Sequence, residues 1–218
     1  MIFDVIKTGS KGNCTILNNN IAVDMGVSYK LLGDYTKKIK LVLLTHIHSD
    51  HFNVKTISTL TRNHPTIKFA CCEHLVNELA NIVDKKNIFV LEPNKTYDLG
   101  ICMLSPFMLN HDVTNNGWRI IINNEKCIYA TDTTTLNVIA KNYDLYLVEA
   151  NYDMNEIIER IREKKANGEF IYEYRTLNNH LSKQQCDEWL ELNKGANSQV
   201  VYMHQHVDGK AKDEEFNS

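Results

Sequence analysis

The chain has 218 residues, of which 43% are hydrophobic and 23% are charged, a composition typical of a globular protein with one sizeable core. Its formal net charge of −3 provides no overall basic surface, so the composition does not indicate tight binding along a long nucleic acid duplex. No apolar run approaches the length of a membrane span, and the first residues do not form a signal peptide, so we expect no membrane association.

The cysteines indicate the compartment. There are six of them, and they form no CxxC pair and no regular spacing. Cys71 and Cys72 are adjacent, which disfavours a bridge between them. This usage is typical of small buried thiols in a reducing environment, and we therefore expect a cytoplasmic protein.

The first elements are strands joined by a glycine-bearing loop. Residues 1–7 alternate apolar and polar side chains, and 15–17 and 21–23 are predicted to pair around a turn of three asparagines. The loop between the first two strands reads GSKGN. Its backbone amides are able to hold a phosphate, with Ser10 and Lys11 beside them.

A cluster of histidines and aspartate follows the apolar run Leu41–Leu44, which is predicted to be a buried strand. The sequence HIHSDH places His46, His48, Asp50 and His51 within six positions. Three imidazoles and a carboxylate are costly to crowd together unless a cation neutralises and orders them. These ligands suit zinc, with iron or manganese as competitors, and the stretch predicts a site for one or two divalent metals.

The middle of the chain alternates between predicted helices and strands. A helix over 54–63 ends before Pro65, and it is followed by a strand over 66–71, a helix over 73–83 and a strand over 87–91. Two further strands are predicted within 94–109. This β/α alternation is consistent with one half of a layered sandwich.

Two polar residues then follow strands in the manner of the histidine loop. His111 lies at the exit of the apolar strand over 101–109, and a predicted hairpin over 117–130 leads to Asp132. An aspartate at a strand exit is able to bridge two cations with its two oxygens. A strand over 145–151 carries Glu149, which either supports the site or is an ordinary strand-end glutamate.

The last third predicts two helices and a final strand. The first helix runs from Asp153 to about Ala166, and its basic residues indicate a solvated face more than a nucleic-acid contact. The second is capped by Ser182, which leaves His180 at its entrance, and a strand over 199–203 follows. Arg175 precedes this histidine by five residues and is either a phosphate clamp or an exposed arginine.

Taken together, HxHxDH after an apolar strand and the later motifs resemble the metallo-β-lactamase superfamily over nearly the whole chain. The resemblance implies an α/β (α+β) fold, namely a four-layer αββα sandwich with a metal site at one edge of the two sheets. We expect residues 1–206 to form this domain and residues 207–218 to form a polar tail. The motifs GSKGN and HLS resemble the YycJ/WalJ-like branch, which is related to ribonuclease Z-like phosphodiesterases.

The resemblance also implies a set of ligands for two divalent ions. These are His46, His48 and His111 on one ion, Asp50, His51 and His204 on the other, and Asp132 between them. Zinc is expected, with manganese or iron as alternatives. Asp24 is expected to support the metal loop without binding metal. The sequence departs from the usual ending of the branch, so His206 is a second candidate for the last ligand.

The implied reaction is hydrolysis of a phosphodiester by a water that the metal pair activates. The catalytic set is Asp50, Asp132 and His180, with His180 assisting proton transfer to the leaving oxygen. The substrate would contact Ser10, Lys11 and Arg175. Iron-based oxygen reductases of the superfamily carry glutamate at the position of His48, which disfavours a redox role.

The leading interpretation is a nuclease of the exonuclease type that acts on DNA, although the residues do not separate DNA from RNA. The first alternative is a hydrolase of cyclic nucleotides or other small phosphodiesters, which the acidic net charge favours. A thioesterase or lactonase is disfavoured by His180 in its HLS setting. A metal-binding module without catalysis is disfavoured by His180 together with Asp132.

Overall fold

Two six-stranded sheets dominate the computed structural model, which describes residues 1–205. The predicted tail and His206 lie outside the described residues. The strands of the first sheet stand in chain order: β1 (Phe3–Lys7), β2 (Cys14–Leu17), β3 (Ile21–Val23), β4 (Leu41–Leu43), β5 (Lys68–Cys71) and β6 (Ile88–Val90). The first three strands are antiparallel neighbours, and β3 to β6 are parallel.

The second sheet repeats this plan, and its strands also stand in chain order. Its strands are β7 (Tyr97–Asp98), β8 (Met103–Leu109), β9 (Asn115–Ile122), β10 (Glu125–Ala130), β11 (Leu145–Glu149) and β12 (Gln199–Met203). Strands β7 to β10 are antiparallel neighbours, whereas β10, β11 and β12 are parallel. Each sheet therefore combines an antiparallel half with a parallel half.

Five α-helices accompany the sheets in the described part of the chain. They are α1 (Val54–Asn63), α2 (Val76–Ala80), α3 (Met154–Asn167), α4 (Glu173–Asn179) and α5 (Lys183–Asn193). Side-chain caps start the longer helices: Asn53 caps α1, Asp153 caps α3, and Ser182 forms a capping box with Gln185 at α5. None of these helices combines the length and apolarity needed to cross a bilayer.

The alternation of side chains along each strand builds three apolar layers. In β4, Leu41 and Leu43 point toward the second sheet, while Val42 packs with Ile57 and Leu60 of α1. In the same way the second sheet packs one face on the first sheet and the other on α5. The four layers are therefore helix, sheet, sheet and helix, as the sequence predicted.

One local prediction needs correction, and two further elements were not predicted. The helix predicted over 73–83 is a 3₁₀ turn (Glu73–Leu75) followed by the short α2, because the chain turns after Ala80 and buries Val83. The sequence did not predict α4, which lacks a side-chain cap to mark its start. It also did not predict the 3₁₀ segment Tyr29–Lys37, which Gly33 interrupts with a φ of 52°.

Candidate metal centre

The polar residues identified in the sequence lie at one edge of the sandwich, just beyond the C-terminal ends of strands. Asp24 and the histidine loop follow the parallel strands β3 and β4. In the second sheet, His111 follows β8, Asp132 follows β10 and His204 follows β12. Strand β8 runs in the direction of β10 because both are antiparallel to β9. The topology thus brings together side chains that are distant in sequence.

Three histidines form the first candidate metal position. The ligand atoms of His46, His48 and His111 lie within 4.8 Å of one another, and His111 Nε2 lies 3.2 Å from His48 Nδ1. His46 Nδ1 lies 3.0 Å from Thr45 Oγ1, whereas its Nε2 is buried without a hydrogen-bond partner among the described residues. A buried unpaired nitrogen costs free energy, so this position fits a divalent cation.

A second position is formed by Asp50, His51 and His204, whose ligand atoms also lie within 4.8 Å of one another. Nδ1 of His51 lies 2.7 Å from Asp24 Oδ2, and its Nε2 lies 2.8 Å from Asp132 Oδ2. Nε2 of His204 lies 3.5 Å from a carboxylate oxygen of Asp50 and 3.5 Å from one of Asp132. This donor set of imidazoles and carboxylate also fits a divalent metal.

Asp132 lies between the two positions. Its Oδ2 is 2.8 Å from Nε2 of His51 in the second group, and its Oδ1 is 3.9 Å from Nε2 of His111 in the first group. The amide of Asn115 donates to the backbone carbonyls of Thr131 at 2.9 Å and Asp132 at 2.7 Å, which fixes the loop that carries this aspartate. Asp132 is therefore close to both groups, and its role as a bridging carboxylate stays a prediction.

Three residues of the centre leave their strands in the left-handed backbone conformation. The φ angles are 59° for Asp24, 57° for Asp132 and 52° for His204. Side chains other than glycine seldom adopt this conformation, and its cost is typically offset at functional sites by surrounding contacts. In each case the sharp turn directs the side chain into the space beyond the sheet edge.

Asp24 holds the metal loop rather than completing either group of three. Its Oδ1 accepts hydrogen bonds from Thr45 N at 3.0 Å and from Thr45 Oγ1 at 2.8 Å. Its Oδ2 accepts from Tyr129 Oη at 3.0 Å and lies 2.7 Å from His51 Nδ1. Such contacts set the orientation of a ligating imidazole, which agrees with the supporting role predicted for this aspartate.

The glycine-bearing loop is tied to the same centre through Asn13. The side chain of Asn13 is fully buried, and its Nδ2 lies 2.8 Å from His51 Nε2 and 3.2 Å from the carbonyl oxygen of Asp50. Its Oδ1 accepts from Gly9 N at 2.8 Å. The loop therefore contributes a buried amide to the metal centre, a role that the sequence analysis did not assign.

The two groups of histidines differ in their electrostatics. Burial by itself lowers the pKa of His51, but Asp132 and Asp24 outweigh it and hold that pKa well above the ordinary value. Burial is likewise outweighed at His204, chiefly by Asp132 and by the hydrogen bond to Asp50, and the pKa of His204 rises to about 10. These two histidines are therefore protonated at neutral pH when no metal is bound.

In the first group the pKa values of the histidines shift in the opposite direction. Burial lowers the pKa of both His46 and His111, and Asp132 offsets only part of this effect. Burial raises the pKa of Asp132, but His51 and His204 more than compensate and hold that pKa well below the ordinary value. At neutral pH His46 and His111 are therefore neutral imidazoles beside an ionised carboxylate, which is the state that metal binding requires.

His180 is oriented by a buried carboxylate. Nδ1 of His180 lies 2.7 Å from Glu149 Oε1, while Glu149 Oε2 accepts from the backbone amides of Thr133 at 2.8 Å and Leu181 at 3.4 Å. A carboxylate only accepts, so Nδ1 carries the hydrogen and Nε2 remains for proton exchange. Of the two readings that the sequence left open for Glu149, the supporting role matches the structure.

His180 also belongs to a further group that satisfies the distance requirement for a metal. The ligand atoms of Asp132, Glu149, His180 and His204 lie within 4.8 Å of one another. Another overlapping group contains His46, His51 and Asp132. Because the groups overlap, measurement of metal content in single variants is the direct way to assign each side chain.

A cavity of about 310 Å³ opens over this centre. Ser10, Arg175 and His180 line it, as does Asp112, whose Oδ2 lies 3.6 Å from Arg175 Nη2. Lys11 is exposed on the same turn as Ser10 but is not among the lining residues. Of the three residues predicted to contact substrate, two therefore face the cavity.

The chain belongs to the family described as the Beta-lactamase superfamily domain, which it matches over residues 27–205. No curated protein shows significant similarity to the sequence. Among solved structures, the metallo-β-lactamase fold protein YhfI from Bacillus subtilis is similar with a TM-score of 0.71 and 16% identity, over 93% of this chain and 85% of that one.

Two other structures share the fold. The short form of human tRNase Z aligns with a TM-score of 0.69 and 15% identity, over 94% of this chain and 93% of that one. Zn²⁺-bound PqqB from Methylobacterium extorquens aligns with a TM-score of 0.67 and 11% identity, over 94% of this chain and 89% of that one. At these identities the similarity establishes the fold and not the activity.

Proposed function

We propose that the chain is a phosphodiesterase that uses two divalent metal ions and acts on nucleic acid, DNA in preference to RNA. Zinc is the proposed metal, with manganese and iron as alternatives. When bound, the ions would supply an activated water and neutralise charge on the phosphate oxygens. The residues that would hold them are His46, His48 and His111, then Asp50, His51 and His204, with Asp132 between the two groups.

The observation that carries the proposal is the contact of buried Glu149 with half-buried His180 at the wall of the cavity. The 2.7 Å contact with Glu149 fixes the imidazole through Nδ1, which also lies 3.6 Å from Asp132 Oδ1, and leaves the second nitrogen available at the cavity. A proton donor at this point serves a leaving alkoxide, which is a poor leaving group when it departs unprotonated. A module that only stores metal has no use for this arrangement.

Arg175 and Ser10, which both line the cavity, are proposed to bind the substrate phosphate. The side chain of Arg175 is 79% exposed and is paired with Asp112 at 3.6 Å, so it is able to turn toward an incoming anion. A guanidinium binds phosphate through two parallel hydrogen bonds. Lys11 is placed further out, where it would attract the substrate by charge alone.

Assignment to the YycJ/WalJ-like branch belongs to the same proposal. Asn13 of GSKGN lies against His51, and His180 of HLS lies against Glu149, so both motifs reach the metal centre. One of the similar folds is a tRNase, which supports phosphodiester chemistry. The six cysteines are all free and buried, which supports the reducing cytoplasm as the compartment.

A cyclic nucleotide or another small phosphodiester is the second candidate substrate. The net charge of −3 and the modest cavity of about 310 Å³ favour it, because neither provides a long basic track for a polymer.

A substrate panel separates the two candidates. The metal-loaded protein is assayed with bis-p-nitrophenyl phosphate, end-labelled single- and double-stranded DNA, RNA and cyclic mononucleotides, each with Zn²⁺ and with Mn²⁺. We expect stepwise shortening of DNA. Asp132→Ala should be inactive on every substrate, and exposed Asp34→Ala is the matched control. Activity on cyclic mononucleotides alone would replace the nuclease by the second candidate, and inactivity on every phosphodiester would refute both.

A further inference from the structure

An aromatic segment links α3 to α4 at the rim of the cavity. Phe170 and Tyr172 of the link and Tyr174 in the first turn of α4 have relative exposures of 86%, 43% and 50%, so three large rings are open to solvent within five residues. Of the three, Tyr172 lines the cavity over the metal centre, together with Arg175. An exposed ring at the entrance of a catalytic cavity suits contact with a ligand.

The ring of Tyr172 is held in place by a charged side chain. Nζ of Lys164 lies 3.7 Å from the centre of the ring, and it also lies 2.6 Å from Oε1 of Glu173, whose side chain is almost fully buried. The pair with Lys164 lowers the pKa of Glu173 against the opposing effect of burial, so this glutamate stays ionised at neutral pH. A buried carboxylate thus fixes an ammonium, and the ammonium fixes an aromatic ring at the cavity.

One face of α4 forms the cavity wall between this ring and the reacting end. Tyr172, Arg175, Thr176 and Asn179 all line the cavity, at the i, i+3, i+4 and i+7 spacing of a single helix face. His180 follows at the end of the helix. Seven residues of helix span about 10 Å, so the ring stands beside the metal centre rather than on top of it.

We infer that Tyr172 is a stacking subsite for an unpaired nucleobase of the substrate, and this inference rests on the proposed phosphodiesterase function. Aromatic side chains stack on bases of any sequence because every base has a π-face. Arg175 would hold the phosphate of the same nucleotide, one turn along the helix. A cavity of about 310 Å³ is at the small end of ligand pockets, which favours one unpaired nucleotide over a base pair as the group that enters it.

Equilibrium binding of a single-stranded oligodeoxynucleotide tests this subsite. The strand carries phosphorothioate linkages that resist cleavage and a 2-aminopurine at its end, whose fluorescence is quenched when it stacks. The metal-loaded protein is compared with Tyr172→Leu, which removes the ring, and with Tyr172→Phe, which keeps it. Phe170→Leu removes an exposed ring that does not line the cavity and is the matched control.

We expect Tyr172→Leu to weaken binding about fivefold or more and to abolish the quenching, in line with the free energy of one base–aromatic stack. Tyr172→Phe and Phe170→Leu should both remain within about twofold of the parent protein. A strand with an abasic end should bind the parent and Tyr172→Leu equally. Equal loss on the abasic strand would overturn the inference, because the ring would then act by supporting the fold.

The outcome of this binding experiment is separable from the outcome of the hydrolysis assays that test the proposed function. If the parent protein hydrolyses bis-p-nitrophenyl phosphate while base stacking is insensitive to residue 172, the proposed phosphodiesterase function is supported and the inferred stacking subsite is refuted. If no phosphodiester is hydrolysed with any metal, the proposed function fails first, and the inference with it.

Discussion

Most side chains at the centre either would contact a metal ion or orient a side chain that would. His180 belongs to neither class, because its Nδ1 contacts buried Glu149 and its other nitrogen is directed away from that contact. The contribution of His180 to the reaction rate depends on the leaving group of the substrate, so its role is measurable separately from metal binding.

The first prediction concerns this proton donor. We expect His180→Ala to lower kcat about 10²- to 10⁴-fold on a dinucleotide, whose leaving alkoxide needs a proton, and far less on bis-p-nitrophenyl phosphate. Glu149→Gln should show the same preference with a loss of about 10- to 100-fold. Metal content by plasma mass spectrometry should stay at two ions per chain in both variants. Loss of an ion from His180→Ala would make this residue a ligand instead.

The second prediction concerns protons released on metal binding. His204, with a pKa of about 10, and His51, with a raised pKa, are protonated at neutral pH, whereas His46 and His111 are already neutral. Because ligands must lose their protons, filling the second position at pH 7 should release about two protons, whereas His46 and His111 of the first position should release almost none.

Calorimetric titration in buffers of different ionisation enthalpy measures this number directly. Affinity at the second position should rise with pH up to about pH 10, where His204 loses its proton unaided. The variant His204→Ala should release one proton fewer than the parent. Identical heats in all buffers would contradict the assignment of the second group.

At the scale of elements, the centre depends on how closely the loops after β3 and β4 approach each other. A Cβ atom at Gly26 would lie 1.6 Å from the carbonyl oxygen of Asp50, which is backbone and not able to move aside alone. The backbones also exchange hydrogen bonds here, since Met25 N donates to His51 O at 2.8 Å. Position 26 requires glycine because a Cβ atom does not fit between the two loops.

The third prediction follows from that contact. Gly26→Ala should displace the metal loop, destabilise the metal-free protein by roughly 1–3 kcal/mol or more, and reduce metal at the second position. Urea unfolding in chelator and metal analysis measure the two effects. Gly195→Ala is the control, because the nearest backbone atom to its Cβ lies at 3.7 Å. Normal metal content in Gly26→Ala would show that the loop has more freedom than this packing allows.

At the scale of the whole molecule, metal binding would join the two sheets. The candidate ligands run from His46 after β4 of the first sheet to His204 after β12 of the second. Asp24 and Tyr129 already link the sheets by a buried hydrogen bond of 3.0 Å. A ligand that binds only the folded chain stabilises it by a free energy that grows with the logarithm of the ratio of ligand concentration to Kd.

The fourth prediction is that metal raises the melting temperature through His204 and not through His206. At a hundredfold excess over Kd, one site contributes about 2.7 kcal/mol, or about 5–10 °C for a chain of this size. His204→Ala should lose an increment of that size in differential scanning fluorimetry, whereas His206→Ala should keep it. The reverse result would assign the last ligand to His206.

Much of this site was predictable because each predicted ligand follows a recognisable strand. The supporting residues were harder to predict from the sequence. Tyr129 resembles any aromatic residue of a strand, Asn115 any loop amide and Asn13 any turn residue. Only their contacts distinguish them. Helix α4, which carries Arg175 and begins directly after Tyr172, was missed for a similar reason, because no capping side chain marks its start.

The sequence by itself determined most strands and helices and the types of ligand, because side-chain alternation and chemistry are local properties, whereas the four-layer sandwich was implied by the resemblance of the motifs to the metallo-β-lactamase superfamily. The tertiary structure decided which side chains meet. Glu149 and His180 are 31 positions apart and Asp24 and Tyr129 are 105 apart, yet each pair lies within hydrogen-bond distance. Such pairs depend on strand order and on the turn that follows each strand, and no local pattern in the chain records either.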